Sequence, residues 1–300
     1  MKSDPSQIRM ILTAVLATLS LAASGALAEE QPSIPPAQLV RETVRNEINS
    51  NNDQAKFMFR EHKITPKGSQ TKLVVETCDA MAGMLVAIND HPLTPEQRQA
   101  ESARLERFMN DPAELKKKAK QEKEDADRVL KIMKALPDAF LYERDGTELG
   151  TEGVGKPGDK LVRLKFRPNP GYNPPSRVEQ VLTAMQGILL IDEQAKRIAK
   201  IDGTLVKNVG FGWGILGHLD RGGHFLVEQA DVAGGHWEMS RMDLSFTGKA
   251  LFFKNLSFKS NEIYSDFRPA PPNLTFAQGV ELLKRHEAEL LADREQKGGR

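Results

Sequence analysis

The residues Gly212-Trp213-Gly214-Ile215-Leu216-Gly217 match the GxGxxG spacing that brings backbone N–H groups against a pyrophosphate. That chemistry needs a strand before the glycines and a helix after them, inside a βαβ unit. Here Gly222-Gly223 and a further strand-like run follow instead. Residues 210–217 are therefore expected to form an apolar flap, with Phe211, Trp213 and Leu216 at a pocket mouth or a membrane surface. His286-Glu287-Ala288-Glu289-Leu290 begins like a zinc-binding HExxH helix but lacks the second histidine, so the ligand spacing fails. His218 and His224, six residues apart around a glycine pair, fit no familiar ligand spacing. No GxSxG nucleophile elbow occurs. Carboxylates are plentiful, and a hydrolase with an unfamiliar site stays an alternative, but the sequence points to a protein without catalytic residues, metal or cofactor. Cys78 is the only cysteine; no intramolecular disulfide can form, and the residue reads as a small buried hydrophobe.

Elements able to position a site begin after a leader. Lys2 and Arg9 form a basic head, residues 10–22 are apolar or small, and Ala26-Leu27-Ala28 precedes Glu29-Glu30. This order is that of a cleavable secretory signal, residues 1–28, and its apolar run is short of the roughly 20 residues that span a bilayer. The remaining chain, 29–300, is expected to be one soluble domain with no transmembrane span, in the periplasm or secreted. Of 42 basic and 41 acidic residues, the leader takes Lys2, Arg9 and Asp4. The balanced remainder argues against nucleic-acid binding, which rests on neutralising phosphates.

Along that domain, Leu39, Val40, Val44 and Ile48 recur at helical spacing over 37–48. Strands follow at 56–60 and 71–77 around Thr65-Pro66-Lys67-Gly68, and 81–89 suits a third strand or a short helix. Residues 94–134 are helical and charged. Thr94-Pro95-Glu96 and Asn110-Asp111-Pro112 are start signals, Lys116-Lys117-Lys118 faces Glu122, Glu124 and Asp125, and Val129, Leu130 and Met133 are expected to dock the arm. Leu136-Pro137-Asp138 marks its end. Short strands then run to about 268: 139–143, 161–167, 187–192, 197–201, 225–229, 237–246, 249–258 and 262–267, with a Gly-rich loop at 145–158. With no helices between them they form an antiparallel meander. A final amphipathic helix covers 275–296.

Three phrases carry a resemblance: Leu161-Val162-Arg163-Leu164-Lys165-Phe166-Arg167-Pro168, Gly187-Ile188-Leu189-Leu190-Ile191-Asp192 and Arg197-Ile198-Ala199-Lys200-Ile201. With Gly234-Gly235-His236-Trp237 and the order of elements, they resemble the periplasmic lipoprotein-carrier (Lol-type) superfamily and outer-membrane lipoprotein-sorting-like proteins over about 137–268. The resemblance implies an incomplete antiparallel barrel covered by helices, with an apolar cavity for acyl chains. Strand alternation nominates Val162, Leu164, Phe166, Leu189, Ile191, Phe225, Val227, Phe246 and Phe253 for its lining.

The expectation is an α+β fold, a curved antiparallel sheet forming an incomplete β-barrel covered by helices, with an inserted charged helical arm. Its expected function is non-enzymatic binding or carriage of lipid or acylated protein. An envelope sensor or scaffold that binds a protein partner is the alternative, and an unrecognised hydrolase the second.

Overall fold

The computed structural model describes residues 34–50, 55–211, 217–250 and 254–298. The proposed leader at 1–28 lies outside the described residues. Helix α1 (Pro36–Ser50) buries Leu39, Val40 and Val44, the stripe its helical spacing requires. Strands β1 (Lys56–Thr65) and β2 (Gly68–Val75) form a hairpin whose turn needs Gly68 at φ +119°. β3 (Ala82–Ile88) and the two-residue β4 (His91–Pro92) complete a small meander.

Two helices make up the insertion. α2 (Pro95–Asn110) starts with a capping box between Thr94 and Gln97, which satisfies two free N–H groups reciprocally. α3 (Pro112–Ala139) is capped by Asp111. Its 28 residues span about 42 Å. Leu115 and Ala119 pack on the core under α2, while the other end meets α1 and leads into β5 (Phe140–Leu149). α3 is thus a strut between regions at opposite ends of the sheet, not a free arm. Val129 is 63% exposed and does not dock; Ala135, Leu136 and Ala139 are buried instead. The expected end at Leu136-Pro137-Asp138 falls one residue before the last residue of α3, Ala139. Pro137 sits in the last turn, where it lacks the N–H that would bond the carbonyl four residues back, and the Tyr142 hydroxyl donates to the Leu136 carbonyl at 2.7 Å.

The remaining strands are β6 (Lys160–Pro168), β7 (Met185–Asp192), β8 (Arg197–Leu205), β9 (Val209–Phe211), β10 (Gly217–Leu219), β11 (His224–Ala233), β12 (His236–Ala250) and β13 (Lys254–Ala270), before α4 (Phe276–Gly298). The main sheet is antiparallel and open, in the order β4-β3-β2-β1-β13-β12-β11-β8-β7-β6-β5, with β9 and β10 continuing beside β12. The fold is α+β, a curved sheet not closed into a barrel and covered by helices. Two expected boundaries move. β5 continues to Leu149, because Gly146 at φ +100° absorbs an irregularity between Arg144 and Thr147 and Arg163 bonds both Asp145 and Glu148. β13 is one long strand where two pieces were expected. Asn261 pairs with Asp243 and makes no turn, and the irregularity falls at Asp266, φ +57°. Cys78 is exposed, not buried.

Candidate functional site

Residues paired across antiparallel strands point to the same side of the sheet, so the register defines rows. One runs Leu164, Leu189, Ile201, Val227, Met242 to Glu262 and Lys63. The next runs Phe166, Gly187, Gly203, Phe225, Leu244 to Ser260. Phe246 faces Phe258 one step further along. These rows place Val162, Leu164, Phe166, Leu189, Ile191, Phe225, Val227 and Phe246 on one face. Phe253, Trp213 and Leu216 lie outside the described residues, and Phe211 ends β9.

The face is closed at one end and open at the other. Val162, Leu164, Phe166, Leu189 and Ile191 are 0–4% exposed. Glycines explain the tightness there: a Cβ on Gly187 would lie 1.8 Å from the Asp202 carbonyl oxygen, and one on Gly203 would meet Met185 and Phe166. The Phe166 ring fills the space that a side chain on Gly203 would take. Towards β11–β13, Phe225, Val227 and Phe246 are half-buried, and Phe258 and Leu256 are 52% and 40% exposed. The same apolar face therefore passes from core to solvent-facing surface.

Its border is polar. Glu262 is buried and pairs with Lys63 at 2.6 Å, and the Tyr264 hydroxyl donates to it at 2.6 Å. Burial, then the bond to Glu262, raises the Tyr264 hydroxyl above the usual phenol range. Ser260 Oγ, also buried, finds no hydrogen-bond partner among the described residues.

β9 and β10 pair antiparallel, Phe211 opposite Gly217. The GxGxxG segment thus joins two strands, which excludes the strand–turn–helix a dinucleotide needs. His218 and His224 each meet their own carboxylate, Asp220 at 3.1 Å and Asp202 at 2.9 Å. His286 is buried in α4 with Glu289 at 3.5 Å.

A second, polar cleft of about 220 Å³ is lined by Lys56, Phe57, Glu76, Arg197, Trp237 and Glu238, among others. Arg197 is buried, pairs with Glu47 at 3.0 Å and lies 5.7 Å over the Trp237 ring. Glu76 accepts from the Phe57 N–H at 3.1 Å. Burial first, then the Glu76 charge, pushes the Glu238 carboxyl up to about 7. This convergence of carboxylates, like the Glu262–Lys63–Tyr264 border, carried no sequence signal, because each residue is an ordinary charge on a strand until the register is known.

No family model matches the sequence, and no curated protein does. Solved structures similar to it do occur. One is described as an outer membrane lipoprotein-sorting protein domain from Vibrio parahaemolyticus, at 10% identity and a TM-score of 0.33, covering 83% of this chain and 98% of that one. Another is a DUF1329 family protein from Desulfovibrio piger, at 12% identity and a TM-score of 0.29, covering 84% and 100%. At these scores the functional reading rests on this chain's own side chains.

Proposed function

We propose that this protein binds lipid or a lipidated protein in the cell envelope, after export directed by residues 1–28. The observation that carries the reading is the continuous apolar face that emerges from the core at Phe225, Val227 and Phe246 and reaches exposed Phe258 and Leu256. An acyl chain laid along its open end gains about 0.8 kcal/mol per buried CH₂. Among the described residues no helix is long and apolar enough to cross a membrane.

The test is to purify the protein without detergent and analyse its organic extract by mass spectrometry. Stoichiometric lipid, lost in Phe258→Asp, supports the reading. A lipid-free protein that also ignores a fluorescent acyl probe refutes it. The surface position is the right one to alter, because a charge at buried Phe166 would unfold the domain.

The cleft with Glu76 and the raised Glu238 carboxyl supports a second reading, a hydrolase in which the Glu238 carboxyl acts as acid with the Glu76 carboxyl beside it. A screen of esters and glycosides with the wild type and Glu238→Gln tests it; activity present in the first and absent in the second is required.

A further inference from the structure

The opposite face of the sheet holds a site of a different kind. On β1 and β2 the alternation places Arg60, His62, Thr71 and Leu73 on the face away from Lys63 and Glu262. α4 packs over this face. Near its start it comes in close, because a Cβ on Gly279 would be 2.7 Å from Thr77 Cγ2. About three turns later, Leu290 and Leu291 form one wall of a cavity of about 330 Å³. Leu73, Val86, Ala87 and Pro92 line it from the sheet side. A smaller cavity lined by Met58, Phe59, Asp266, Arg268 and His286 adjoins it through Arg60, Leu73 and Leu290.

The polar groups of this cavity are matched except one. Arg98 pairs with Glu287 at 3.1 Å. His62 Nδ1 meets Thr71 Oγ1 at 3.0 Å, and its Nε2 lies 3.7 Å from Asp90. The Asp90 carboxylate is 73% exposed and accepts from the Ser69 hydroxyl at 3.3 Å. Arg60 is half-buried beside Leu73 and Leu290 and makes no ion pair among the described residues. A guanidinium is permanently charged and offers a planar fork that matches a carboxylate or phosphate. Placed beside Leu73 and Leu290 with Asp266 lining the same space but no carboxylate within ion-pair distance among the described residues, it is under-compensated. An anionic group joined to an apolar tail would satisfy both the cation and the walls, and the volume falls within the range of small-molecule sites.

We propose that the cavity under α4 binds a small amphiphilic anion, its carboxylate or phosphate on Arg60 and its alkyl portion between Leu73, Val86 and Leu290. The site is independent of the apolar face on the other side of the sheet.

The test is calorimetric titration of the full folded chain with decanoate, decyl phosphate, decanol and decyltrimethylammonium, all below their micelle concentrations, and with inorganic phosphate. Decanoate or decyl phosphate should bind one to one, at least tenfold tighter than decanol or the cation; which anion binds better separates a fatty acid from a phospholipid-like source. Inorganic phosphate alone should bind more weakly than either. Arg60→Gln should weaken the anions at least tenfold, and Arg60→Lys should restore part of that loss. Ala87→Phe, which fills the cavity and leaves Arg60 in place, should abolish binding even where Arg60→Gln proves unstable. Phe258→Asp should have no effect. Equal binding of decanol and decanoate, or wild-type binding in Ala87→Phe, overturns the proposal. Loss in Phe258→Asp alone would place the ligand on the other face.

Discussion

Replacing Glu238 with Gln should flatten the pH dependence of stability, and the size of the effect follows from its surroundings. Burial and the neighbouring Glu76 charge raise this carboxyl from 4.5 to about 7 in the folded protein. Between those values the native state holds a proton that the unfolded chain has released. Stability is therefore highest below pH 4.5 on this account and falls as pH rises through about 7. At roughly 1.4 kcal/mol per pH unit, the full gap corresponds to about 3 kcal/mol, and partial solvent access reduces it to about 1–2 kcal/mol. Gln cannot ionise, so the variant loses only this contribution while all other titrations continue. Urea unfolding at pH 4.5, 6, 7.5 and 8.5, at constant ionic strength, measures the difference between the two proteins. The variant should gain on the wild type by about 1–2 kcal/mol from the lowest pH to the highest. Parallel curves would show that Glu238 is ionised throughout, and the argument from burial would fail. Glu76→Gln should give a smaller change in the same direction, since the Glu76 charge is the second cause and not the first.

Other outcomes are accessible to the same denaturation assay. Leu164→Ala, at a fully buried position, should cost about 2–5 kcal/mol, whereas Phe258→Ala should change stability by no more than about 0.5 kcal/mol while reducing uptake of an acyl probe. Glu47→Ala removes the partner of buried Arg197 and the acceptor of the Ile198 N–H; a loss of about 3–5 kcal/mol is expected. Deleting residues 113–131 should abolish folding, seen as loss of cooperative unfolding. A folded deletion protein that had merely lost a partner would contradict the strut role of α3.

The sequence made the apolar strands legible because a period of two survives any change of neighbour. Val162, Leu164 and Phe166 show it against Arg163, Lys165 and Arg167, and their shared face follows without knowledge of the fold. The first and last helices were legible for the same reason, through their 3.6-residue stripes. Pro137 marked the end of α3 to within two residues, because proline cannot supply the N–H a helix interior needs. Residues 145–149 misled because glycine permits an irregularity in a strand as readily as a loop. The gap expected between 258 and 262 is bridged because Asn261 has a cross-strand partner in Asp243. The site was less legible than the fold. Which apolar residues are sealed in and which are open depends on where the helices lie, and that Arg60 has no carboxylate within ion-pair distance is visible only in the folded chain.

The strand order has a consequence for how the chain reaches this state. β1 and β13 are neighbours, with Lys56 opposite Ala270, so the centre of the sheet joins segments about 200 residues apart in the sequence. Until the last strand emerges, β1 is an unpaired edge carrying Phe57 and Phe59, both buried in the final fold. Closing so long a loop is entropically costly, although the cost grows only slowly with length, and such distant pairings fold slowly. The early meander must therefore wait, with an adhesive edge uncovered, until β13 has been made. In that interval it is a natural client for a holding chaperone, and truncation anywhere before β13 would leave it permanently in that state.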